Sequence, residues 1–178
     1  MQDCTGNRQS EVLSIMFLLS PTPLEKFILK HKLSSPESGA FASFEGLVRN
    51  HNDGKKVIAL EYEAFEALAL KEANKIFKEA KAKFEVIDVL CFHRVGKLSI
   101  GEIAVWVGVS AAHRDSAFKA CRYIIDEIKT RLPIWKKEYY KNGDSGWVNC
   151  QGCVSLRATK GAKQSFKRLL RRKKRSSQ

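Results

Sequence analysis

Pro133 stands between a stretch with helical spacing and a stretch that alternates with period two. That junction constrains the fold of this 178-residue chain more than any other feature. Upstream, Ala117, Cys121, Ile124, Ile125 and Ile128 form one apolar stripe, which predicts a helix over Arg114–Arg131. Proline lacks an N–H and pushes its predecessor out of the α region, so the helix must stop here with Lys129 in its last turn. Downstream, Ile134, Lys136 and Glu138 alternate with Trp135, Lys137 and Tyr139, the pattern of a short strand. Lys129 and Lys136 therefore flank one stiff corner. Two amines so placed suit an anionic ligand or proton transfer. Both also have a plain structural reading, as a cation on a helix C-terminus and as a solvated strand face.

The other segments fix the fold class. Val12–Leu19 reads as a buried strand, and Leu24, Phe27, Ile28 and His31 as a short amphipathic helix after the Ser20-Pro21-Thr22-Pro23 turn. Ala40–Arg49 and Val57–Phe65 are strand-like and joined through Asn52-Asp53-Gly54, with Ile58, Leu60, Tyr62 and Ala64 on the buried face of the second. Ala67–Phe84 has helical spacing. Val86–His93 and Ile103–Ser110 are apolar β-branched runs separated by a turn at Gly96 and Gly101. Mixed strands with two long helices predict an α+β fold, mostly antiparallel, rather than a doubly wound parallel sheet.

Charge divides the chain. Of the formal +13, residues 151–178 hold ten Lys/Arg and no Asp/Glu, so the first 150 residues carry only +3. The expected organisation is a loose leader over 1–10, one domain over 11–150, and a basic, solvated and disordered tail over 151–178. Five scattered cysteines do not make a disulfide framework and suggest reduced thiols in the cytosol. The run at 12–19 is too short to span a bilayer, and Asp3 and Glu11 spoil a signal-peptide start.

Chemistry concentrates at predicted element ends. Ser110-Ala111-Ala112-His113-Arg114-Asp115 opens the second long helix, where free N–H groups favour an anion and Arg can fork onto its oxygens. The alternative is that Ser110 or Asp115 caps the helix and the basic pair is solvated. Arg49-Asn50-His51-Asn52 closes a strand and feeds a turn, a weak signal alone. His93 follows a buried run and reads as a structural residue. Cys150-Gln151-Gly152-Cys153 lacks two further ligands for zinc, so no metal is expected.

In chain order these segments resemble the catalytic (large) subunit family of molybdopterin synthase. The matching pieces are Phe44-Glu45-Gly46-Leu47-Val48-Arg49-Asn50-His51-Asn52, Leu60-Glu61-Tyr62-Glu63, His93-Arg94-Val95-Gly96, Val107-Gly108-Val109-Ser110-Ala111-Ala112-His113-Arg114, the Lys129–Glu138 block and Trp147-Val148. The likeness covers roughly residues 12 to 150. It implies an α/β hammerhead fold, a homodimer, and a small ubiquitin-like sulfur carrier docked at each end to give a heterotetramer. It further implies sulfur transfer from the carrier's C-terminal Gly-Gly thiocarboxylate to cyclic pyranopterin monophosphate, forming the dithiolene of molybdopterin in molybdenum cofactor biosynthesis. The family's substrate contacts fall on Leu47, Val48, Arg49, His113, Arg114, Lys129, Lys136, Lys137 and Glu138, with Lys129 and Lys136 catalytic. No cofactor is implied, since the carrier brings the sulfur.

Two rival readings carry their own tests. A sulfurtransferase working through a persulfide on Cys150 or Cys153 would lose activity on Cys→Ala substitution. A non-catalytic basic protein binding anions or nucleic acid would lose its partner on deletion of 151–178.

Overall fold

The computed structural model describes residues 15–23, 33, 35–143 and 145–149. The expected leader, the first residues of the strand at 12–19, the short helix carrying Leu24 to His31, and the basic tail with Cys150 and Cys153 lie outside them. In chain order the described elements are β1 (Ile15–Ser20), β2 (Ala40–Leu47), β3 (His51–Asn52), β4 (Lys55–Ala64), α1 (Glu66–Phe84), β5 (Val86–Arg94), β6 (Gly96–Ser99), β7 (Ile103–Ala111), α2 (Arg114–Arg131), β8 (Ile134–Tyr140) and β9 (Ser145–Asn149).

They form two sheets. One runs β1-β5-β7-β2, with β1 parallel to β5 and the other neighbours antiparallel. The other runs β3-β4-β8-β9, with β6 also on β4, and every pair in it is antiparallel. The α+β expectation holds. Both helices pack against each other and on the first sheet. Ala69, Ala73 and Ala80 of α1 and Ala117 and Ala120 of α2 are buried; small side chains let helices approach closely, and Ile76, Phe77 and Ile124 fill the space between layers.

The Pro133 joint behaves as its chemistry requires. Leu132 takes an extended conformation, and its N–H donates to the Ile128 carbonyl to close α2. The Pro133 carbonyl accepts a 3.1 Å bond from Phe65 N–H, which ties the joint to the end of β4. From there β8 pairs along β4, Ile134 opposite Ala64 and Glu138 opposite Leu60.

Three expectations need correction. The runs joined through Asn52-Asp53-Gly54 do not pair with each other: β2 bonds to β7 and β4 to β8 and β6, in separate sheets. The turn closes only the two-residue β3 against Lys55 and Lys56. Asp53 at φ 48° and Gly54 at φ 74° supply the left-handed pair that a tight hairpin demands. Ile58 is 52% exposed, not buried. The ladder slips between Val57 and Ala59, so Ile58 is the extra residue and Val57 takes the inward place. Finally, the expected turn between Gly96 and Gly101 contains β6, a strand too short to show a period.

Candidate active site

A cavity of about 350 Å³ opens where the two sheets and the C-terminal end of α2 meet. Its walls are apolar: Val57, Leu60, Ile125, Ile128 and Ile134 contribute from β4, α2 and β8. Leu47, Arg49, His51, Asn52, Lys129, Lys136 and Glu138 also line it. An apolar hollow with a few convergent charged groups is the usual form of a small-ligand site.

The period of β8 decides which of its residues reach in. Ile134, Lys136 and Glu138 share the inward face. Lys137 lies on the other face, its Nζ 4.7 Å from the Tyr139 ring centre and 5.8 Å from that of Trp147. Lys129 reaches the cavity from the last turn of α2, with Nζ 5.5 Å from the Phe44 ring centre. Among the described residues it has no carboxylate partner.

Glu138 is the hub. It is 3% exposed, and its Oε1 accepts from Lys136 Nζ at 2.7 Å. Its Oε2 accepts from Asn52 Nδ2 at 3.0 Å and from the Tyr140 hydroxyl. Burial pushes the Glu138 carboxyl up. The hydrogen bonds from Lys136 and Tyr140, the Lys136 charge and the Asn52 amide outweigh it and hold the group below the usual carboxylate range. Asn52 also accepts from Arg49 Nη2 at 2.8 Å. One amide thus couples the arginine beyond β2 to the carboxylate of β8. Asn52→Ala should cost about 1 kcal/mol of stability, read as a small drop in the thermal midpoint.

Of the expected contact residues, the cavity gathers Leu47, Arg49, Lys129, Lys136 and Glu138, and not Val48, Lys137, His113 or Arg114. Val48 is 2% exposed and packs in the core, and its backbone groups bond to Gly101 and Glu102. His113 and Arg114 are exposed at the start of α2. Lys129 is fifteen residues further along the same helix, about 22 Å at 1.5 Å per residue. One chain cannot bring both ends of α2 to one hollow. Neither alternative cap forms: Ser110 is buried and accepts from Asp88 N–H, while Asp115 pairs with Lys119 at 2.7 Å.

Sequence reasoning offered His51 and Asn52 only within a weak strand-end signal, read His93 as structural, and did not point to Tyr62 or Tyr140. Tyr140 continues the inward alternation of β8 by one more step, a signal that was present. Asn52 gave no signal of its role, which depends on a contact 86 residues away.

The family profile described as MoaE protein matches residues 20–131. The chain belongs to the MoaE family. It is similar to the molybdopterin synthase catalytic subunit of Thermoplasma volcanium, 45% identical over 119 residues covering 67% of this chain and 87% of that one. A Nostoc protein of the same description is 39% identical over 142 residues, 79% of this chain and 84% of that one. Among solved structures, the molybdopterin synthase from Staphylococcus aureus superposes with a TM-score of 0.67 at 34% identity, over 77% of this chain and 98% of that one.

Within this MoaE chain the described thiols are poor nucleophiles. Cys91 and Cys121 are buried; burial raises both, Cys121 to about 11. Among the described residues no group of three or more His, Cys, Asp or Glu could hold a metal ion, and no helix is long and apolar enough to cross a membrane.

Proposed function

We propose that this MoaE-family chain is the catalytic subunit of a cytoplasmic molybdopterin synthase. It would transfer sulfur from the C-terminal thiocarboxylate of a small ubiquitin-like carrier to cyclic pyranopterin monophosphate. The observation that carries this reading is the meeting of Arg49, Lys129 and Lys136 on one partly apolar cavity. Donor and acceptor are both anions. Cations gathered on one site offset their mutual repulsion.

In the proposed chemistry Lys129 meets the thiocarboxylate end of the carrier, whose Gly-Gly tail has no side chains to obstruct a narrow hollow. Lys136 assists proton transfer as the cyclic phosphate opens. Glu138 holds the Lys136 amine in place, and Arg49 and Leu47 contact the pterin side. In each transfer the thiocarboxylate sulfur bonds to a pterin carbon, and water then cleaves the acyl carbon–sulfur bond, leaving the sulfur on the pterin and a carboxylate on the carrier. Two transfers complete the dithiolene. No thiol of this chain is needed, in keeping with the buried state of Cys91 and Cys121.

Val48 would act through the loop it anchors beside Leu47 and Arg49. Lys137, with Trp147, would sit at the approach to the cavity. His113 and Arg114 would serve a neighbouring site: a homodimer that presents the start of α2 to the second copy's cavity supplies both residues in trans, with one carrier per protomer completing a heterotetramer. The catalytic unit would span 11–150, with the tail 151–178 dispensable for transfer.

The decisive experiment mixes the purified protein with a thiocarboxylated carrier and the cyclic pterin and assays for dithiolene. Activity should survive deletion of 151–178, which also removes Cys153. No dithiolene with any thiocarboxylated carrier rejects the reading. A mixture of Lys129→Met and His113→Ala chains should regain roughly a quarter of wild-type activity if sites are shared between protomers, and none if they are not.

A further inference from the structure

His93 sits at the edge of the cavity, is 6% exposed, and takes no part in the chemistry above. Its ring meets Tyr62 edge-on, with centres 5.0 Å apart and planes at 79°. Its Nδ1 lies 2.8 Å from the Arg94 carbonyl oxygen. A carbonyl can only accept, so Nδ1 must carry the hydrogen. Burial lowers the His93 imidazolium to about 4, against the weaker opposing pull of that carbonyl, so the ring is neutral at physiological pH. In the neutral tautomer with hydrogen on Nδ1, Nε2 is a bare acceptor. Among the described residues nothing donates to it. His93 lines the cavity, so an N–H carried by whatever fills it can bond that acceptor.

We propose that His93 accepts, through Nε2, an N–H hydrogen bond from the ligand that fills the cavity. Arg49, Lys129 and Lys136 attract the anionic part of a ligand, whereas the uncharged acceptor can receive only a donor. The inference rests on the sulfur-transfer reading of the same cavity. Two ligands of that reaction carry a suitable donor: the backbone amides of the carrier's tail and the ring N–H groups of the pterin.

The test separates these sources by calorimetric titration of the full-length protein. One arm uses a peptide ending in Gly-Gly and the other uses cyclic pyranopterin monophosphate. His93→Phe keeps the ring and loses the acceptor; it should weaken binding about tenfold in one arm. His93→Gln, which can still accept, should stay within about threefold of wild type in that arm. Methylating the donor nitrogen of the affected ligand should weaken its binding to wild type and add no further loss with His93→Phe. A loss in the peptide arm assigns the donor to the tail, and a loss in the pterin arm assigns it to the ring.

Equal affinity of wild type and His93→Phe in both arms overturns the inference. So does methylation that costs wild type nothing in either arm, a result that needs no variant to fold. Wild-type protein that binds neither ligand overturns the sulfur-transfer reading itself, and this inference with it.

Discussion

Lys129→Met should lower the rate of dithiolene formation by about 10²- to 10³-fold with little change in thermal stability, and Lys136→Met should do nearly as much. Methionine keeps most of the side-chain length and removes the charge, so the comparison isolates the ammonium group. Lys129 is exposed, packs its cation over the Phe44 ring, and has no carboxylate partner among the described residues. Its loss leaves no buried charge behind, and the fold should not notice. Lys136 differs. It pairs with Glu138, so Lys136→Met strips a buried carboxylate of one of its donors and should cost stability as well as rate. Single-turnover assays with saturating carrier, beside thermal unfolding, separate the two effects. A Lys129→Met protein that transfers sulfur at the wild-type rate removes that residue from the chemistry.

The second large effect is loss of stability in mild acid. Folding holds His93 neutral down to about pH 4, whereas in the unfolded chain it titrates near its ordinary 6.5. Between those values the unfolded state binds a proton that the folded state refuses, so stability falls as pH falls. Over the whole window the loss is about 3 kcal/mol. Glu138 acts in the same direction but lower. Its carboxyl is held below its ordinary 4.5, so its contribution is present above that value and is lost as pH drops through the lowered one. Urea unfolding at a series of pH values should show a decline beginning near pH 6.5 and steepening below 4.5. His93→Gln should flatten only the upper part of the curve. A wild-type profile that stays level from pH 7 to 4.5 would refute this account.

Much of the fold was legible because its signals are local. The apolar stripe of α2, its stop at Pro133 and the alternation of β8 are all written within 27 consecutive residues, Arg114–Tyr140. What escaped were features set by distant partners. Nothing near Ile58 announces that β4 slips by one residue against β8. Nothing near Asn52-Asp53-Gly54 says that its flanking strands join different sheets. The site divided along the same line. Lys129, Lys136 and Glu138 follow from helix end and strand period, whereas Asn52 and His93 join them only through tertiary contacts. His113 and Arg114 share α2 with Lys129, yet the rise of the helix holds them about 22 Å away.

The joint at Pro133 has a consequence for how such a chain can change over time. Lys129 and Lys136 are separated by only six residues, which hold a helix end, a proline and the start of a strand clamped to Phe65. The gap between the two amines is therefore set by covalent geometry and one main-chain clamp. Residues deep in the interior are free to drift in size and shape, altering robustness to heat while leaving that spacing tuned.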